Sequence, residues 1–324
     1  MIWRNLLAIF LTESDVKKII NMDITLKSLD DGLSISDDGQ MINSPRSRLL
    51  LPNGFLNFMS AVVPSINMMG HKSYGVVRGH IPKFYIQLFS TETGELLAII
   101  EASELGRIRT GASSGIATKY LSNGDASSVG IIGTGYQAGP QLDAICKVRR
   151  ISKVKVFSRN AEKREKFTTK MIKQTNNNID IEPVETAQEC VKDVDIIVTI
   201  TTSRDPVVKG EWIKEGVHIN AAGANHWMRR ELDYEVIKKS NHLIVDDVEQ
   251  AKIECGDLIY PVERGSIRWQ QVYNLSDVVK GNYSGRTKKD DITLFESQGL
   301  AVQDILVGTE IYNLALASGV GKEI

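Results

Sequence analysis

Cysteine is scarce in this chain: three in 324 residues, Cys146, Cys190 and Cys255, far apart and odd in number. They match no disulfide framework and no zinc-ligand spacing, so a reducing compartment and no metal are expected. Charge of one sign is lacking too: 39 Lys and Arg stand against 40 Asp and Glu, a net charge of −1. That balance gives no reason to expect a nucleic acid or a membrane surface as partner. Long apolar runs are absent. The stretch Leu6–Leu11 after Arg4 is too short for a signal sequence and well below the ~20 residues that span a bilayer. A cytoplasmic protein is therefore expected. No low-complexity tract and no internal repeat is visible. What remains is ordinary globular composition, 42% hydrophobic and 24% charged, in a chain long enough for two domains of ~150 residues.

The apolar start reads as a strand running into a helix, "LLAIFLTESDVKKII", with Thr12 or Ser14 as the N-cap and acids in the first turn. Residues 1–123 then carry several β-rich segments separated by Pro, Gly and Asn: "RSRLLLP", "FLNFMSAVVPSI", "MMGHKSYGVV", "KFYIQLFS" and "ELLAIIE". They predict a largely antiparallel or mixed sheet. "ASELGRIRTGASSGIATKYL" follows as a helix. From about Ser127 the rhythm changes. Short β-branched runs, "SVGIIG", "KVKVFS", "IDIEPV", "DIIVTIT", "VHINAAG" and "HLIVDD", alternate with helical segments. Nearly continuous apolar strands fit a parallel sheet covered on both faces, and the alternation implies right-handed βαβ crossovers. The tail ends in a long amphipathic helix that could return to the first domain. The expected fold is α/β: a Rossmann doubly wound parallel sheet at 124–295, plus a second α+β domain for dimerisation and substrate at 1–123 with 296–324.

"VGIIGTGYQAG" places Gly133-x-Gly135-x-x-Ala138 directly after a predicted strand and at the opening of a predicted helix. Gly133 makes the tight turn, Gly135 lets a pyrophosphate approach the backbone, and small Ala138 allows close helix–strand packing. Thr134, Tyr136 and Gln137 complete the loop, and the helix N-terminus favours phosphate. About 20–25 residues on, at the end of the next strand, a carboxylate would take the ribose 2′-hydroxyl of NAD. None is there. The turn reads Ser158-Arg159-Asn160, with Lys163 and Arg164 one helical turn later. A serine hydroxyl and an arginine fork suit a 2′-phosphate. NADP(H) is therefore favoured, with NAD(H) as the alternative.

Three cations in the first domain stand in unusual settings: Arg48 in "SPRSRLLLP", Lys72 in "MMGHKSYG" and Arg109 in "RIRTGASSG". Together they offer what an α-carboxylate substrate needs: a bidentate arginine, a second cation and a lysine whose pKa can fall on burial.

Seven stretches, "SPRSR", "GHKSYG", "RTGASSGIATKYL", "GIIGTGYQA", "NAAGANHWMRRELD", "VDDVEQAKIECGDL" and "ITLFESQGLAVQD", occur in the order in which the ornithine cyclodeaminase/μ-crystallin family has them. The chain resembles that family nearly end to end. The resemblance implies a homodimer, with Arg48 and Arg109 on the substrate carboxylate and Lys72 beside the nicotinamide. It also implies that Thr110 lies near the cofactor phosphates. Thr201, Thr202 and Ala222 would line the nicotinamide half, and Ser297 would close over the cofactor. μ-Crystallin-like members carry Asn-Arg-Thr where this chain has Ser158-Arg159-Asn160, and they use NADPH. The family's cyclodeaminases and archaeal alanine dehydrogenases place an Asp where this chain has Asn225, which cannot serve as a base. The proton donor is left open between Lys72, His226 and water. The expectation is an NADP(H)-dependent oxidoreductase joining a nicotinamide to a 2-imino or L-amino acid. An ornithine cyclodeaminase using NAD, and a protein that binds NADPH and a small ligand without turnover, are the alternatives.

Overall fold

The structure, a computed structural model, describes residues 8–35, 41–175 and 178–324. Arg4, Leu6 and Leu7 of the apolar start lie outside the described residues. The chain divides into two compact units, Met1–Arg109 with Leu300–Ile324, and Thr110–Gly299.

The chain opens with β1 (Ile9–Leu11), α1 (Glu13–Ile19) and α2 (Met22–Leu33). Thr12 caps α1: its hydroxyl accepts from Asp15 N at 3.3 Å and Asp15 Oδ2 accepts from Thr12 N at 3.2 Å, a reciprocal capping box. Five strands follow: β2 (Ile42–Leu51), β3 (Gly54–Val63), β4 (Met68–Val77), β5 (Phe84–Ser90) and β6 (Leu96–Glu101). Then comes α3 (Ser103–Leu121), within which the two units divide.

The second unit runs β7 (Ser128–Ile132), α4 (Ala138–Val148), β8 (Lys153–Phe157), α5 (Ala161–Gln174), β9 (Asp180–Pro183) and α6 (Ala187–Val191). It continues with β10 (Ile196–Thr199), β11 (His218–Ala221), α7 (Tyr234–Lys239), β12 (His242–Val245), α8 (Val248–Glu254) and α9 (Gly256–Glu263). It ends with β13 (Val272–Asn274), α10 (Leu275–Val279) and β14 (Thr293–Glu296). These strands form an eight-stranded sheet in the order β13-β12-β14-β11-β10-β7-β8-β9, with every pairing parallel. The order reverses at β7, the switch point of a doubly wound fold, where ligands bind beyond the strands' carboxyl ends. Apolar clusters cover both faces, as all-parallel strands require.

The first unit closes with α11 (Ala301–Ser318) and β15 (Lys322–Glu323). Its seven-stranded sheet has the order β15-β1-β6-β5-β4-β3-β2 and is mixed: β1 pairs parallel with β6, and β2 through β6 are antiparallel. Helix α11 lies against one face of this sheet. A Cβ on Gly70 of β4 would meet Ile305 Cδ1 at 2.8 Å, and one on Gly308 would sit at ordinary contact distance from Ile86, Leu88 and Ile100. The first half of the tail helix is not amphipathic as its sequence suggests. Every residue from Ala301 to Thr309 is buried, the behaviour of a helix enclosed on all sides.

Among the described residues no helix is long and apolar enough to cross a membrane, and no group of three His, Cys, Asp or Glu side chains is arranged to hold a metal ion.

Candidate active site

In the first unit, the face of the sheet under α11 gathers buried polar groups. Residues directly opposite in antiparallel strands share a face. Lys72 pairs with Met59 and Ile86, and Asn57 pairs with Arg48 and Tyr74. Asn57, Met59, Lys72 and Ile86 are all buried, so this is the covered side.

A bulge decides which side chains of β2 reach it. Ser44 pairs with Ser60 but Ser47 pairs with Phe58, so Pro45 and Arg46 together oppose the single residue Met59. Proline, with no N–H to give the ladder, is at home in such a bulge. In an unbroken register Arg46 and Arg48 would oppose Phe58 and Leu56, on the other face. The extra residue brings both to the Lys72 side. Arg48 is half-buried; its Nε donates to Asn57 Oδ1 at 3.1 Å and its guanidinium lies 5.2 Å from the Phe55 ring centre. Arg46 is more deeply buried, and its charge acts on Lys72. Arg46 was not singled out from the sequence. The signal was there: a proline inside a strand pattern predicts a bulge, and a bulge changes which arginine faces inward.

Asp304 of α11 joins these groups. Its side chain is fully buried, and its Oδ1 accepts from Lys72 Nζ at 3.0 Å and from Arg109 Nε at 2.9 Å. Arg109 Nη1 also donates to Gln303 Oε1 at 2.9 Å. Gly106 makes room on α3, since a Cβ there would stand 3.2 Å from Lys72 Nζ. Burial pushes the Lys72 ammonium down to about 8; Asp304 opposes the fall, and the Arg109 and Arg46 charges add to it. Asp304 thus pairs directly with two buried cations, Lys72 and Arg109, with the Arg46 charge close by. Two buried atoms nearby, Asn57 Nδ2 and Asp304 Oδ2, have no hydrogen-bond partner. Buried polar atoms without partners are costly, and of these two the Asn57 amide, among buried cations, is a donor of the kind that suits an anion. Beside it the Tyr74 and Phe84 rings pack tilted at 38° with centres 4.6 Å apart, and Lys72 Nζ lies 5.3 Å from the Phe84 ring centre. Asp304 was likewise missed, because an aspartate in a helix read as amphipathic passes for a solvated one.

The second unit holds the glycine loop at the end of β7. Gly133 has φ +113°, and a Cβ on it would come within 2.4 Å of the Ile200 carbonyl oxygen. Gly135 is exposed and a Cβ there would meet nothing within 4 Å, so backbone N–H groups are open to a ligand. Tyr136 is exposed too. Gln137 precedes α4, whose first residue, Ala138, is fully buried. Gln141 Nε2 donates to the Thr110 carbonyl at 3.2 Å. These features fit a pyrophosphate at a helix N-terminus.

At the end of β8 the Ser158 hydroxyl accepts from Thr134 Oγ1 at 3.1 Å and donates to the Asn160 carbonyl at 3.0 Å. Asn160 caps α5 through Lys163 N at 2.8 Å. Arg159 and Lys163 are exposed. Arg164 instead turns inward, bonding Glu185 Oε1 at 2.6 Å and the Ser158 carbonyl at 3.3 Å. Thr201 and Thr202 follow β10, and Ala222 and Asn225 follow β11, at the carboxyl ends of neighbouring parallel strands. In the same loop His226 Nδ1 accepts from Met228 N at 3.2 Å. Ser297, just after β14, donates to Asp246 Oδ2 at 3.0 Å, which also accepts from Gly299 N at 2.7 Å.

An alanine dehydrogenase of Archaeoglobus fulgidus is 35% identical over 98% of both chains. The structure of Thermococcus litoralis Δ1-pyrroline-2-carboxylate reductase, in complex with NADH and L-proline, superposes with a TM-score of 0.92 at 36% identity, covering 98% of this chain and all of that one. An archaeal alanine dehydrogenase dimer with bound NAD superposes with a TM-score of 0.91 at 34% identity over 98% of both chains. With the family profile matching residues 7–319, the chain belongs to the ornithine cyclodeaminase/mu-crystallin family.

Proposed function

We propose that the protein is an NAD(P)(H)-dependent oxidoreductase that interconverts a 2-imino monocarboxylic acid, linear or cyclic, with the corresponding L-amino acid. The observation that carries this reading is the gathering of buried Lys72, Arg109 and Arg46 with the buried Asn57 amide, whose Nδ2 has no hydrogen-bond partner, next to an aromatic wall. The anion is the substrate carboxylate. Arg46, Arg48 and Arg109 hold it, with the Asn57 amide as a further donor, and a bidentate guanidinium fixes its plane. Tyr74 and Phe84 suit an uncharged side chain. Asp304 is engaged by Lys72 and Arg109 and is poorly suited to a second amine such as that of ornithine. Asn225 in place of an acid also disfavours cyclodeamination.

When bound, the reduced nicotinamide supplies the hydride that becomes the new C–H bond at the imine carbon. Lys72 gives the proton: its ammonium donates to the substrate nitrogen, is left as a neutral amine and is reprotonated from water. Fixed charges around the carboxylate hold the imine in one orientation, and orientation is a large part of such a rate enhancement. The glycine loop from Gly133 to Ala138 takes the pyrophosphate, with Thr110 nearby. Thr201, Thr202, Ala222 and Ser297 serve the nicotinamide half.

The cofactor is a nicotinamide dinucleotide, and NADP(H) is the preferred form. Ser158 stands where a carboxylate would repel a 2′-phosphate, and exposed Arg159 and Lys163 flank it. Arg159→Asp is expected to weaken NADPH by about 10- to 100-fold, the worth of one charge-assisted contact, and to leave NADH nearly unchanged. Dissociation constants from nicotinamide fluorescence measure this; an unaltered NADPH affinity would remove Arg159 from phosphate recognition.

A second copy of the chain is the expected partner. Strand β2 is the edge of its sheet and exposes Leu49, Leu50 and Leu51 by 56%, 79% and 51%, an apolar edge that soluble proteins cover. The archaeal alanine dehydrogenase dimer supports this.

The direct test of the activity follows NADPH or NADH absorbance with pyruvate plus ammonia, pyruvate plus methylamine, and cyclic imino carboxylates. Oxidation of the cofactor with one of these is expected. Ornithine yielding proline and ammonia with NAD would overturn the reading, and tight NADPH binding without turnover of any of them would favour a binding protein.

A further inference from the structure

The loop after β11 is organised around one buried carboxylate that the proposed chemistry does not use. Glu231 is fully buried. Its Oε1 accepts from Thr201 N at 2.7 Å, and its Oε2 accepts from Gly223 N at 2.8 Å and Thr199 Oγ1 at 3.0 Å. Thr199 and Ala221 are partners at the ends of β10 and β11, so this one side chain joins the segments that leave two adjacent parallel strands. Glu231 is itself held. Its backbone N–H points at both Asp257 oxygens, 3.0 and 3.1 Å away, and Leu232 N donates to Asp257 Oδ1 at 2.9 Å. Its carbonyl accepts from Val207 N at 2.7 Å and Val208 N at 3.1 Å.

There is no slack around it. A Cβ on Gly223 would lie 2.4 Å from both Thr201 N and Thr201 O and 2.6 Å from Glu231 Oε1, and one on Gly256 would lie 2.2 Å from the Arg229 carbonyl oxygen. Burying this carboxylate is unfavourable, and burial is what raises its pKa most; well-packed apolar residues would serve stability alone as well or better. Three donors on two oxygens supply something apolar packing does not, a single fixed separation between two loops. Glu296 stands beside it, and burial together with the Asp257 and Glu231 charges holds its carboxyl well above the usual carboxylate range. Glu231 is thus the acid whose oxygens collect donors from both loops.

We propose that Glu231 is a positioning residue for the nicotinamide end of the cofactor: by tying Thr201 to Gly223 it sets the two segments between which the ring is held. This rests on the dinucleotide reading above. Glu231→Gln keeps the shape but turns an amide N–H₂ toward backbone N–H groups that need an acceptor, so one loop is released.

The test compares, in the full chain, binding of NADPH with that of 2′-phospho-ADP-ribose, which lacks the nicotinamide, and likewise NADH with ADP-ribose. Glu231→Gln is expected to weaken the dinucleotides by about 10-fold or more, the effect of one lost hydrogen bond to a charged group, while the fragments bind as to the wild type. kcat should fall with it. Thr199→Val, which removes one donor and keeps the charge, should give a smaller change of the same pattern and answers the question if Glu231→Gln fails to fold. Equal weakening of dinucleotides and fragments, or no weakening of either, overturns the proposal. A wild-type protein that binds fragment and dinucleotide equally well would instead show that the nicotinamide is not held at these loops, and the cofactor reading would fall.

Discussion

Replacing Lys72 with methionine is expected to lower kcat for reduction of a 2-imino acid by about 10²- to 10⁴-fold, the usual contribution of a positioned acid, with dinucleotide affinity unchanged. Methionine nearly fills the volume, so the loss is chemical. The pH dependence identifies the proton. Burial brings the Lys72 ammonium to about 8, and it is an acid only while protonated. Wild-type kcat/KM for reduction should therefore hold on the acidic side and fall as pH rises through about 8. Oxidation of the amino acid needs the neutral amine and should rise across the same interval. A bound carboxylate adds a neighbouring anion, so the limb in kcat should lie higher than in kcat/KM. Stability follows from the same displacement. The folded protein binds fewer protons than the unfolded one between about 8 and the ordinary 10.5, so the penalty of burying Lys72 is greatest below 8 and lifts as pH rises. Lys72→Arg separates the roles, because arginine keeps the charge but cannot release a proton in this range. If Lys72→Met keeps most of its activity, or the wild type shows no limb near 8, the acid lies elsewhere, with His226 next to test.

Much of the second unit was legible in the sequence because parallel strands buried on both faces leave unbroken β-branched runs. β7 to β12 each appear where such a run stands. β13 and β14 did not stand out: Val272–Asn274 is three residues with only the first buried, and Thr293–Glu296 reads as the start of the tail. Yet β14 sits between β11 and β12, in the middle of the sheet. In the first unit the sheet could be read, but the inward set of side chains could not. Alternation predicts facing only while the register is unbroken, and the bulge at Pro45-Arg46 reverses it for the very residues that carry charge. Arg48 was chosen because it precedes an apolar run; Arg46, two residues earlier, is the more buried. Asp304 and Glu231 were hidden for a related reason. Their roles depend on partners 195 and 232 residues away for Asp304 and about 30 for Glu231, separations at which no local pattern speaks.

Asp304→Asn is expected to have the largest effect on stability. The aspartate is ion-paired with both Lys72 and Arg109, and asparagine of the same shape leaves these two buried cations without that charge. Removing one partner of a buried ion pair costs about 3–5 kcal/mol, which for a domain of this size lowers Tm by roughly 6–20 °C. The loss should appear in the transition of the first unit. Lys72 can relieve it by giving up its proton, so the limb near pH 8 should move down in the same variant. Two further measurements separate electrostatics from packing. Asp304→Leu combined with Lys72→Met, which removes an anion and a cation together, should recover part of the stability lost by Asp304→Leu alone. A saturating amino or 2-oxo carboxylate should raise Tm more in Asp304→Asn than in the wild type, because it supplies the missing negative charge to the folded state only. An unchanged Tm, or equal stabilisation of both proteins by the carboxylate, would mean that the cluster does not require an anion. In the wild type one oxygen of Asp304 is shared by two buried cations. On the proposed function, the substrate carboxylate would be a further anion for these cations to meet.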